Sequence, residues 1–138
     1  MFSTQELEKY IVEKVSCRIE NVNWENIFFQ RIAPGSPEGI YIFSVNGEYH
    51  VSFAEKGKIK ENLITTYAEE VLWQVVKCLS FSISFKYAVE NREDGKDFRR
   101  MLFKKDLEVF FEFGENFGKR RKAEIEKILK ENPYADTF

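Results

Sequence analysis

Ten consecutive residues, Asp94-Gly95-Lys96-Asp97-Phe98-Arg99-Arg100-Met101-Leu102-Phe103, constrain this chain more than any other stretch. They set two adjacent arginines, an acid and two phenylalanines at the start of an otherwise apolar helix. A guanidinium enters a core only when carboxylates meet it. On a helical wheel Arg100 lies between Leu107 and Phe111, inside an apolar face. On the preceding predicted helix Glu90 falls in line with Leu72, Leu79 and Ile83. Two helices joined by a short turn pack against each other. The expectation is therefore a partly buried network of Glu90, Asp97, Arg99 and Arg100 that locks the corner. Losing one partner of such a network costs about 3–5 kcal/mol. The functional alternative makes the arginines an anion site or a hot spot for a partner.

The surrounding chain reads as an α+β fold in one domain, residues 1–138. Its order is an N-terminal helix, a small antiparallel meander of three to four strands, then three C-terminal helices packed on one face. Ser3 and Glu6 have capping-box spacing, and Leu7, Tyr10, Ile11 and Val15 follow as a helical stripe to residue 16. Ile27–Ile32 reads as a strand, and Gly39–Val45 as another. Asn46-Gly47 is a two-residue hairpin signal, because both positions tolerate positive φ. A second turn at Glu55-Lys56-Gly57 leads to a strand near Lys58–Ile64. Thr66 and Glu69 repeat the capping-box spacing ahead of a helix to about Glu90. Its main stripe is Leu72, Val75, Val76, Leu79 and Ile83. Ser80, Ser84 and Ala88 stand at four-residue steps, small enough to admit a neighbouring helix. The next helix is expected from Asp97 to Gly114, and the last from Gly118 to Glu131, ahead of Pro133.

Composition narrows the function classes. Fourteen Phe, six Tyr and two Trp raise the aromatic share to 16%, and rings left outside a core mark contact surfaces. Residues 1–90 carry nine Lys/Arg against twelve Asp/Glu, and residues 91–138 twelve against eleven. A mildly acidic body does not suit a nucleic-acid binder and is compatible with a basic protein partner. Lys119-Arg120-Arg121-Lys122 is the clearest basic run. Glu115, Glu124 and Glu126 dilute its field, so it reads as a solvated helix start. A small nucleic-acid-binding or regulatory module using that run is the alternative function.

Catalytic constellations are hard to find. His50 is the single histidine, and no Cys or Asp/Glu pair stands at metal-ligand spacing around it. No Gly-x-Ser-x-Gly elbow or Gly-rich phosphate loop occurs, and Gly114 and Gly118 read as helix punctuation. Cys17 and Cys78 form no disulfide framework, and Cys78 is expected in a helix core. No cofactor or metal is expected. Met1-Phe2-Ser3 leads straight into a charged amphipathic segment, and charged or amide residues interrupt every apolar run. A cytoplasmic protein without membrane contact is the expectation.

The motif also carries a resemblance. Ala88-x-Glu90, a polar turn, then Gly95-x-Asp97-Phe98-Arg99-Arg100-x-x-Phe103 resembles the immunity protein 63 family of bacterial polymorphic toxin systems. Leu72-Trp73 before it, and Glu124-x-x-x-Ile128-Leu129 with Pro133-Tyr134-x-Asp136 after it, are similar to that family's C-terminal half. The likeness covers about residues 65–136. It implies a noncatalytic antidote that binds a cognate toxin domain one to one and occludes it. Such a protein carries no catalytic, cofactor or metal residues. Glu69, Glu70 and Trp73 are the candidate partner contacts. Trp73 is equally readable as a core anchor against the sheet.

Overall fold

Ser3 and Glu6 close the first helix as their spacing predicts. The Glu6 N–H donates to Ser3 Oγ at 3.1 Å, and the Ser3 N–H donates to Glu6 Oε1 at 2.9 Å. The computed structural model describes residues 1–137. Their order is α1 (Thr4–Ser16), β1 (Ile27–Phe28), β2 (Gly39–Val45), β3 (Glu48–Glu55), β4 (Lys58–Thr65), α2 (Ala68–Glu90), α3 (Arg99–Phe111) and α4 (Glu115–Glu131). This is an α+β fold with an N-terminal helix, a four-stranded mixed sheet and three further helices. Two compact units divide it, Met1–Val75 and the residues from Val76 onward.

In the first unit the sheet runs β1-β2-β3-β4. Asn46 (φ 51°) and Gly47 (φ 75°) form the hairpin turn, and Lys56 (φ 50°) and Gly57 (φ 75°) form the second. Both turns have the positive φ pair that matches strand twist. β2, β3 and β4 are therefore antiparallel neighbours. The strand expected over Ile27–Ile32 is corrected to Ile27–Phe28, and it runs parallel to β2. Gly39 explains the approach. A Cβ there would lie 2.6 Å from the Asn26 carbonyl oxygen and 2.8 Å from the Phe28 ring. Without it, the Ile40 N–H reaches the Asn26 oxygen at 2.9 Å. Leu7, Ile11 and Val15 of α1 are fully buried, as are Ile42 and Val51 of the sheet. The first residues fasten to β2 and β3: Ser44 Oγ donates to the Phe2 carbonyl, and the Phe2 N–H donates to Tyr49 Oη, both at 2.8 Å.

The entry to α2 departs from expectation. Thr65 Oγ1, not Thr66, takes the Tyr67 N–H at 3.1 Å, and the helix begins at Ala68. β4 continues to Thr65, so Thr66 and Tyr67 turn the chain from strand to helix and Thr66 falls outside the first turn. Trp73 is 1% exposed, a core side chain.

In the second unit Ser80, Ser84 and Ala88 are fully buried, and α3 comes close enough for Ser80 to bond Asp106. α3 starts after Asp97, whose carboxylate accepts the Arg99 N–H at 2.9 Å in the manner of an N-cap. Gly114 (φ 109°) turns the chain between α3 and α4. Gly118 does not start the last helix, as its spacing suggested, but sits inside it. A Cβ at Gly118 would fall within the Phe111 ring, so the missing side chain is what seats that ring against α4.

Candidate partner-binding face

Asp97 is the hub of the α2–α3 corner. Besides the Arg99 N–H, its carboxylate accepts from Arg99 Nη2 at 2.9 Å, from Arg99 Nε at 3.2 and 3.3 Å to its two oxygens, and from the Ala135 N–H at 2.8 Å. Asp136 repeats the design. It accepts the Asp97 N–H at 2.7 Å, and Arg100 donates to it through Nη2 at 2.7 Å and Nε at 3.0 Å. Two fork-shaped guanidinium–carboxylate pairs therefore bracket the motif. Arg99 also donates to the carbonyls of Asn132 and Pro133, each at 2.9 Å. The Tyr134 ring lies under Arg100, 4.1 Å from the guanidinium carbon to the ring centroid. The Thr137 N–H closes the set on the Gly95 carbonyl at 2.7 Å. Residues 132–137 are thus a strap tied across the corner.

The expected network is corrected in one member. Glu90 is exposed and takes no part among the described residues, and Asp136 stands in its place. A wheel projection offers an acid on the adjoining helix, ten residues from Arg100. The acid that meets Arg100 comes from 36 residues away. The signal was present in Pro133-Tyr134-x-Asp136, but nothing local ties it to Arg100.

Electrostatics follow the geometry. The Arg99 side chain, then the N–H groups of Ala135 and Arg99, hold Asp97 well below the usual carboxylate range. Arg100, then the Asp97 N–H, hold Asp136 down at about 2. Unfolded aspartate titrates near ~4. A depressed folded-state value adds stability above the unfolded value and loses it as pH falls through the folded one. The Asp136 half of the strap should stay tied at neutral pH and come loose between about pH 4 and about pH 2, while the Asp97 half holds to lower pH. Hydrogen exchange reads this directly. The Asp97 amide, which donates to Asp136, should lose protection in that window before those of α3, and equal protection throughout would contradict it.

Between the two bracketed pairs sits Phe98. Its ring meets Phe85 edge-on at 5.6 Å, and Phe85 lies 6.1 Å from Phe81. Phe81, Phe85 and Val89 occupy four-residue steps of α2 and are 61%, 48% and 55% exposed. One helix face thus shows three large apolar side chains to solvent, with Phe98 set beside them by the corner. The pocket between Ala88, Phe98 and Met101 has room for about one water. This surface offers contact area and anchoring rings, and it suits a protein partner.

A second network escaped the sequence reading. Asp106 is 4% exposed. It accepts from Ser80 Oγ at 2.5 Å and from Arg121 Nε at 2.6 Å, while Arg121 Nη1 donates to Glu124 at 3.0 Å. Burial alone would lower the Arg121 value, but its pairing with Asp106 and Glu124 outweighs that and raises it. The basic run is thereby split. Arg121 turns inward over Phe110, Lys119 pairs with Glu115 at 3.7 Å, and Lys122 is exposed. The overlooked signal was Asp106 itself, an acid in step with Phe103 and Phe110 on a buried face. The other expected contacts divide. Glu69 is exposed and Glu70 half-buried, whereas the buried Trp73 is corrected to a core role. His50 lies between Glu61, 2.8 Å from Nδ1, and Glu48, 3.6 Å from Nε2. Cys78 is half-buried, and burial pushes its thiol up.

Residues 46–127 match the family model described as immunity protein 63, more than half of the chain. The chain belongs to the immunity protein 63 family. Neither a curated protein nor a solved structure matches it. The family match begins at the β2–β3 turn and takes in β3 and β4 as well as α2 and α3. The resemblance is carried by motifs within residues 65–136, with the sheet alike in general layout only, and the family match extends it to β3 and β4. The immunity protein 63 match also holds Phe81, Phe85, Val89 and the Asp97–Phe103 motif, and stops short of Tyr134 and Asp136. Among the described residues no helix is long and apolar enough to cross a membrane.

Proposed function

We propose that this protein is an antidote that binds a cognate toxin domain one to one in the cytoplasm and occludes it, without catalysis. The observation that carries this reading is the exposed row Phe81, Phe85 and Val89 beside Phe98, on a chain of the immunity protein 63 family. Rings held outside a core at the edge of a fixed corner are the side chains that dominate tight interfaces. The Asp97–Arg99 and Arg100–Asp136 pairs act structurally in this account. They hold the backbone on both sides of Phe98, so that the ring is presented before a partner arrives.

Occlusion needs area more than chemistry, and complexes of this kind bury about 1,200–2,000 Å² in total. Glu69 and Glu70 add acidic groups that steer a basic toxin. The test is survival. Cells that make the toxin domain encoded beside this chain's gene should live only when this protein is made with it, and the two purified proteins should elute as a one-to-one complex. Death despite co-expression, or separate elution, refutes the reading.

A further inference from the structure

The acidic first unit has a surface of its own. Strand register places Phe43 opposite His50, and His50 opposite Ile64, in one row across three strands. Ile59 pairs with Ala54, two steps further along the same side as His50, and so shares that face. Ile59 and Ile64 are about half exposed. The opposite face is taken, since Ser44 and Tyr49 on it bond to Phe2 at the head of α1. One end of the outer face is also covered, where Phe28 stacks on Tyr41 and Tyr41 Oη donates to the Pro37 carbonyl. The Phe43–His50–Ile64 row lies at the other end.

Its polar frame is fixed. The His50 ring stacks flat on Phe43, 5.0 Å apart and 7° from parallel, and holds Glu61 and Glu48 at its two nitrogens. Both carboxylate side chains remain about half exposed. Arg31 lies over the Phe43 ring with its guanidinium carbon 5.9 Å from the centroid. That ring already receives a cation from its own chain. The whole unit carries seven Lys/Arg against eleven Asp/Glu. An apolar row framed by carboxylates on an acidic body complements a protein face that sets Arg and Lys around an apolar side chain. The same charge repels nucleic acid.

We propose that this outer sheet face docks a cationic face of the toxin. The inference rests on the toxin-binding reading above and names a second contact and its chemistry. Long-range attraction acts on encounter, so the association rate carries the signal. The probe is the toxin domain encoded beside this gene, measured at low and high salt. The double variant Glu48→Lys/Glu61→Lys should associate at least about tenfold more slowly at low salt and lose most of its salt dependence. Ile64→Arg, which leaves the His50 cluster intact, should slow association in the same direction and decides the matter if the double variant does not fold. Normal binding by these variants, with unchanged salt dependence, overturns the inference and leaves the antidote reading standing. Failure of the unaltered protein to bind the toxin domain overturns both.

Discussion

Arg121→Met will lower the free energy of unfolding by about 3–5 kcal/mol. The substitution keeps much of the side chain's length and its apolar contact with Phe110. What it removes is the partner of Asp106, a carboxylate that is 4% exposed and bonded otherwise to Ser80. A buried charge stripped of its counter-charge bears its desolvation cost unrelieved. That explains why breaking such a pair costs several times more than an exposed ion pair contributes, which is about 0–1 kcal/mol. Urea unfolding measures the effect. A companion variant isolates the cause: Asp106→Leu combined with Arg121→Met removes both charges, and it should recover most of the lost stability. If the single and double variants unfold alike, charge burial is not the reason.

Under the proposed function, Phe81→Asp will weaken the complex with the toxin domain by about 2 kcal/mol or more, roughly thirtyfold in Kd. Phe81 is 61% exposed, so the change leaves the core untouched and should move stability by no more than about 0.5 kcal/mol. Phe85→Asp should act in the same direction and more strongly, because its ring also meets Phe98 and links the α2 row to the motif. Isothermal titration with the toxin domain gives the affinity, and thermal unfolding of the free variants confirms that they fold. Co-expression survival then falls with affinity. Full-strength binding by both variants would remove the α2 row from the interface.

Several features were legible because they are local. The capping box of α1, the Asn46-Gly47 turn and the four-residue spacing that puts Ser80, Ser84 and Ala88 on one side of α2 each depend on neighbours within one or two turns of chain. Phase and spacing fix such features wherever the segment ends up. The parallel β1 was not legible in this way, since it exists because Gly39 lets a distant segment come alongside. Gly118 was misread for the same reason. Its role is set by a ring on another helix, not by its own backbone.

The charged side chains separate the two kinds of information most sharply. The sequence by itself established that Arg99 and Arg100 need carboxylates, because desolvation of a guanidinium is costly in any fold. It also established the α+β order and the family. Which carboxylates answer was decided only by the tertiary structure. Asp136 displaced Glu90 at Arg100, and Arg121 left the basic run to meet Asp106. A pairing between groups 36 residues apart depends on how the chain returns on itself, and helical phase holds no record of that return. The same holds for exposure. Phe81 and Phe85 fall outside the Leu72–Ile83 stripe of α2, but only the packed helices show that they remain in solvent.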